Sequence, residues 1–324
     1  MKNSKRLFIL MEIVLAIMVL VLLSMVFQEN NKNNIYKVSV IIQYSDDNQW
    51  AAFKYGLKMA AQDHGIEMFV VSTEGLLTVE EEKRIIEHEV EHGADAVIVQ
   101  PVPGADTEKM LKTMQKKVPV MLTEYVTSED EDKSFIPTTQ PDNYAMGAAL
   151  AKELIHDYDG KLDGKTLGIF SETVRSEAVI KRERGFCDAL KDTGARICWS
   201  VSETSGETGE KFLETRPKVD FVIALDDHSL TMAGKCSAAN NLHGALVYGL
   251  GHSTEAAYYL DTGVAECLLV PDEFNVGYQS LTEVAKSLRL SFHKMKSQTV
   301  SYTVIRRDSL FSKENQEILF TMSQ

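Results

Sequence analysis

Four cysteines are all that 324 residues contain, and Cys187, Cys198, Cys236 and Cys267 fall at no zinc-ligand spacing. A zinc module is excluded, while a chance pair such as Cys187 with Cys198 stays open. Basic residues are scarce too: 34 Lys and Arg face 47 Asp and Glu, a net charge of −13. A nucleic-acid binder needs a basic face to meet phosphates, so that class is excluded. There is no G-x-S-x-G elbow and no phosphate-binding loop. "GLGHST" (249–254) starts like a dinucleotide loop, but Thr254 stands where the third glycine belongs. His88 and His92 are four apart, yet the intervening "EVE" is no zinc-protease motif, and they read as a solvated helical face. No acid–base–nucleophile set and no cofactor motif emerge, so binding rather than catalysis is expected.

What is present begins with a long apolar run. Residues 7–27, "LFILMEIVLAIMVLVLLSMVF", follow Lys2, Lys5 and Arg6 and are interrupted only by Glu12 and Ser24. A spanning helix needs about 20 apolar residues, whereas the apolar part of a signal peptide holds about 7–15. No Cys follows to accept a lipid, and "SMVFQEN" offers no small-x-small cleavage site. The reading is an uncleaved single-pass anchor in the cell membrane. Residues 1–6 would be cytoplasmic, 28–35 a polar tether, and the body outside the cytoplasm. A cleaved signal peptide with a poor site is the alternative.

From Tyr36 onward, short apolar runs alternate with longer amphipathic stretches. The strand candidates are 37–44, 67–72, 95–101 and 118–124, then 165–172, 196–202, 220–225, 245–251 and 266–271. Their apolar positions run on rather than alternate, which means a sheet covered on both faces. Between them, Trp50, Phe53, Leu57, Ala60 and Ala61 recur at helix spacing, as do Val79, Ile86 and Val90. The expected class is α/β, with two doubly wound parallel sheets. The acidic "TSEDEDKSFIPTTQPDN" (127–143) separates the two halves and reads as a domain boundary.

Ligands of open α/β sheets bind beyond the C-terminal ends of the strands. Those ends carry Asp46, Asp47 and Trp50 after the first strand, Glu124 and Tyr125 after the fourth, and Asp226 and Asp227 after the seventh. Carboxylates accept hydroxyl protons and an aromatic ring stacks on C–H faces, so the set suits a sugar or polyol. A helix cap equally explains an Asp at such a place, and core packing equally explains Trp50.

Taken jointly, "QYSDDNQWAAFKYGLKMAAQDHGI" (43–66), "GADAVIVQPV" (93–102), "VPVMLTE" (118–124), "KRERGFCDAL" (181–190) and "VDFVIALDD" (219–227) followed by "VYGLG" (247–251) resemble a known family. It is the periplasmic binding proteins of the ribose/galactose type, which share their ligand domain with lac-repressor-like regulators. The resemblance implies two domains joined by three crossing strands and closing on a sugar. One would comprise residues 36–138 and 272–297, the other 139–271 and 298–311, with 312–324 as a tail. It implies ligand roles for Asp47, Trp50, Glu124, Arg182 (in "RERGF") and Asp226, with Asp227 behind Asp226. The chain departs from the family where Gly249-Leu250-Gly251 lacks the usual Asp, and near Pro271. His252, Ser253, Asp272 and Glu273 are the groups at hand to compensate.

The function implied is an extracytoplasmic solute-binding protein that presents its closed form to a membrane partner. That partner would be an importer's permease or a sensor kinase. The alternative is an accessory sensor for a histidine kinase that binds a non-sugar molecule. A transcription regulator would need a helix-turn-helix where the apolar run stands, and an α/β enzyme would need the missing catalytic set.

Overall fold

A computed structural model describes residues 11–19, 35–43, 50–73, 77–104, 106–123, 136–171, 176–202, 209–290 and 292–320. Residues 11–19 are helical (α1) with exposed apolar side chains. No helix among the described residues is long and apolar enough to cross a membrane. Residues 7–10 and 20–27 of the apolar run lie outside them.

The first sheet is built from β1 (Tyr36–Gln43), β2 (Ile66–Thr73), β3 (Ala96–Val99), β4 (Val120–Thr123), β5 (Thr138–Pro141) and a late strand, β11 (Gln298–Val300). Its order is β11-β5-β4-β3-β1-β2, parallel throughout. The intervening helices are α2 (Ala51–His64), α3 (Val79–Glu91) and α4 (Thr107–Met114), joined by α10 (Glu273–Arg289), which returns from the far end of the chain. Both faces of this sheet are covered. Val38, Val40 and Ile42 of β1 pack with Phe53, Leu57, Val276 and Leu281, while Ile41 packs with Ile86, Leu111 and Met114 on the other side. A strand buried on both faces needs apolar residues at every position, which is why its sequence does not alternate.

The second sheet repeats the plan with β6 (Thr166–Ser171), β7 (Arg196–Ser202), β8 (Phe221–Ala224), β9 (Leu246–Leu250) and β10 (Ala265–Pro271), and ends with β12 (Tyr302–Arg306). The order is β12-β10-β9-β8-β6-β7, with β12 antiparallel to β10. Its helices are α5 (Asn143–Asp157), α6 (Glu177–Ala189), α7 (Gly209–Glu214), α8 (Asp227–Ala238) and α9 (Thr254–Asp261), and α11 (Lys313–Phe320) closes the chain's described part. Val222 and Ala224 of β8 enter one core layer, Phe221 and Ile223 the other.

The chain passes between the sheets three times, at 141–143, 271–273 and 300–302. Two of these passages lie slightly beyond the boundaries read at 138/139 and 297/298, because β5 and β11 both join the first sheet. Each is only three or four residues long, and "TTQP" and "QTV" carry no apolar run to betray a strand. All four cysteines are free thiols, Cys236 and Cys267 buried and Cys198 exposed on β7.

Candidate ligand site at the strand ends

Helix starts crowd the C-terminal edges of both sheets. Thr78, Asp142, Ser176, Asp226, Ser253 and Asp272 each occupy an N-cap and accept a backbone N–H from the first turn. Such a cap satisfies one of the four N–H groups that a helix start leaves unpaired. Any acid placed after a parallel strand is therefore a candidate for two tasks, and only its bonds separate them.

Arg182 has the clearest arrangement. It lies on α6 with two of its guanidinium nitrogens engaged: Nε donates to Asn143 Oδ1 at 2.7 Å and Nη1 to the Leu225 carbonyl at 3.0 Å. Leu225 follows β8, so the fork is held at the C-terminal edge of the second sheet. Among the described residues its Nη2 meets no acceptor, which leaves N–H donors for a guest. The helix carrying it is fixed by close backbone contact, since a Cβ on Gly147 would lie 1.8 Å from the Arg182 carbonyl oxygen.

Asp226 and Asp227 have distinct settings. Asp226 is buried, 7% exposed, and its Oδ1 takes the Ser229 N–H at 2.7 Å in a capping box. Asp227 is half-buried, and its Oδ1 accepts the backbone N–H groups of His252 at 2.7 Å and Ser253 at 2.8 Å. This carboxylate stitches the segment after β9 to the end of β8. Arg182, Asp226, Asp227 and His252 are thus brought together on one edge, although up to 70 residues separate them. Ser253 and Asp272, named as compensating groups, are committed to caps. Asp272 also accepts from Asn275 Nδ2 at 2.7 Å.

Trp50 lies against the core at the end of β1. The indole is 5% exposed, its N–H donates to the Gln43 carbonyl at 2.9 Å, and its ring meets Phe53 edge-on at 5.4 Å. It belongs to the buried cluster that holds Val38, Val40 and Ile42, so its ring is packed with the core. Burial is the physical reason: an aromatic in the first turn of α2 covers the end of β1, and its polar tip is satisfied there. Asp46, Asp47, Glu124 and Tyr125 lie outside the described residues.

Asn143 was not legible as a site residue. It is 3% exposed, and its carbonyl oxygen orients Arg182. The only signal was Asp142 before it, an N-cap that marks a helix start inside a stretch read as linker. Among the described residues, no group of three His, Cys, Asp or Glu could hold a metal ion.

Residues 38–289 match the family model described as periplasmic binding protein domain. The chain belongs to this family, a family of solute-binding proteins rather than enzymes. No curated protein matches it. Among solved structures, it resembles a carbohydrate transporter solute-binding protein from Agrobacterium radiobacter in complex with D-arabinose. That likeness has a TM-score of 0.77 at 17% identity and covers 89% of this chain and 99% of that one. A glucose-galactose binding protein from Geobacillus stearothermophilus aligns at TM-score 0.74 and 19% identity, covering 86% and 100%. A galactofuranose binding protein aligns at 0.75 and 20%, covering 89% and 100%. At these identities the likeness establishes the type I fold.

Proposed function

We propose that this protein is an extracytoplasmic sugar-binding protein, held at the membrane by residues 7–27, that closes on its ligand and presents the closed form to a membrane partner. The observation that carries the reading is Arg182, braced by Asn143 and the Leu225 carbonyl with donors left over. A planar, braced guanidinium can serve two neighbouring sugar hydroxyls at little further cost in side-chain freedom. Asp227, fixed by two backbone N–H groups, offers its second oxygen as acceptor, and His252 stands beside it. Together they stand in for the acid missing from Gly249-Leu250-Gly251. Asp46, Asp47, Glu124 and Tyr125 would complete the site from the first domain. The relatives' printed ligands, D-arabinose, glucose, galactose and galactofuranose among them, supply the panel to test.

Closure stabilises only what touches both domains, so the ligand selects the closed form by its differential contacts. An anchored body cannot shuttle, and a permease or a sensor kinase would read closure in place. The missing acid at 249–251 favours a second reading, in which a kinase's accessory sensor takes a non-sugar molecule.

Thermal unfolding of the full chain in detergent with pentoses and hexoses tests this. Ligand at a hundred times its Kd adds about 2.7 kcal/mol, a rise of several degrees. Arg182→Ala removes a charged donor and should weaken the bound sugar about 10–100-fold. No shift with any sugar or polyol, but a shift with a nucleoside or amino acid, would replace the first reading by the second.

A further inference from the structure

We propose that the connector between α10 and β11 is a docking face for an anionic phospholipid bilayer, with Phe292 entering the interface and Lys294 and Lys296 meeting the headgroups. The inference rests on the anchoring by residues 7–27 proposed above, and adds which side of the body faces the membrane.

Phe292 is 100% exposed and Ile35 is 69% exposed. Among the described residues from 35 onward these are the two most exposed large apolar side chains, and both lie at one edge of the first sheet. Ile35 precedes β1 and Phe292 precedes β11, and the sheet is parallel, so both strands start at that edge. The end of α10 lies there too, since Arg289 donates to the His64 carbonyl just before β2. Leu290, 53% exposed, adds a third apolar group.

Phe292 is held out by a pinned backbone. His293 Nε2 lies 3.0 Å from Glu283 Oε2, and the Lys296 N–H donates to the same oxygen at 3.3 Å. Met295 packs against the core cluster that also takes Tyr36, and the Ser297 hydroxyl accepts the Thr138 N–H at 3.0 Å. The neighbours of Phe292 turn inward while the aromatic stays in water, so its burial against a partner is favourable.

Charge and position select lipid as that partner. Residues 284–297 hold Lys286, Arg289, Lys294 and Lys296 and no acid, in a chain of net charge −13. Basic groups beside exposed apolar ones suit an anionic headgroup layer, from which the acidic remainder is repelled. Residues 28–35 separate the apolar run from β1 and span at most about 28 Å when extended. Four strand spacings, ~19 Å, separate β1 from β11. This edge therefore stays close to a bilayer that holds residues 7–27. With it docked, the strands of the first sheet run away from the membrane and their C-terminal ends face outward.

The test is Phe292→Trp in the full chain, in vesicles of phosphatidylcholine with about a quarter phosphatidylglycerol and brominated acyl chains. Flotation first separates anchored from free chain. The introduced indole should be quenched about twofold more than the wild type, whose Trp50 and Trp199 supply the background. Lys294→Gln with Lys296→Gln, or vesicles of phosphatidylcholine alone, should cut that excess about twofold. All three side chains are exposed, so the variants should melt with the wild type. Chain that floats with the indole unquenched would leave the patch to a protein partner and overturn this proposal alone. Quenching indifferent to the lysines and to lipid charge would overturn the headgroup contact. Chain that does not float would overturn the anchoring reading, and this one with it.

Discussion

Glu82 on α3 is a carboxyl placed where water does not reach. It is 1% exposed; Oε1 accepts the Val102 N–H at 3.0 Å, and Oε2 has no donor among the described residues. Burial pushes its pKa up from 4.5 to about 7, against a smaller lowering by the Val102 bond. A raised folded-state value means that the neutral form is the one the fold favours. The stability it contributes is complete below about 4.5 and drains away as pH rises through about 7. Urea unfolding should show the wild type losing ~2 kcal/mol between pH 5.5 and 8.5 that Glu82→Gln does not lose. Equal pH slopes in the two proteins would remove Glu82 as the cause. Trp50 makes a second prediction at this scale. Trp50→Ala should cost about 3–5 kcal/mol in unfolding, as large buried aromatics do. Trp50→Phe should lose only the bond to Gln43, ~1 kcal/mol, and keep sugar affinity. A large affinity loss in Trp50→Phe would return the indole to the ligand's wall.

At the scale of elements, two helix pairs are built alike. A Cβ on Gly56 of α2 would lie 2.0 Å from the Phe274 carbonyl oxygen of α10, and one on Gly147 of α5 would meet the Arg182 carbonyl. Small residues let these helices approach backbone to backbone, and nothing flexible is present to yield. Gly147→Ala should therefore destabilise by about 1–3 kcal/mol or more, the usual cost of overpacking. Because the clash falls on Arg182's own peptide, ligand affinity in the folded fraction should fall as well, by calorimetry. A variant that melts lower but binds normally would show that α6 shifts as a unit without moving the guanidinium. Nine strands were legible as apolar runs. β5 and β11 were not, since short polar strands acquire their identity from the neighbours they pair with.

For the whole molecule, the question is what lies before Tyr36. If residues 7–27 anchor the body, the protein should stay with membranes through alkaline carbonate extraction, and the mature mass should retain Met1 or Lys2. Release into the soluble fraction with a shortened mass would establish cleavage instead. The acidic surface, net charge −13, keeps the rest of such a body from adhering to anionic lipid around it.

Composition and pattern by themselves determined the class of this protein: covered parallel strands, amphipathic helices between them, and polar residues collected at strand ends. These depend on local periodicity and on what each residue can bury, which a linear sequence carries in full. Which bonds those polar residues make was decided only by the tertiary structure. Asp226, Ser253 and Asp272 read like site groups and serve as helix caps, whereas Asn143 read like linker and braces Arg182. The reason is geometric. A parallel strand ends where the next helix begins, so cap and ligand compete for the same position, and the choice is made by partners tens of residues away.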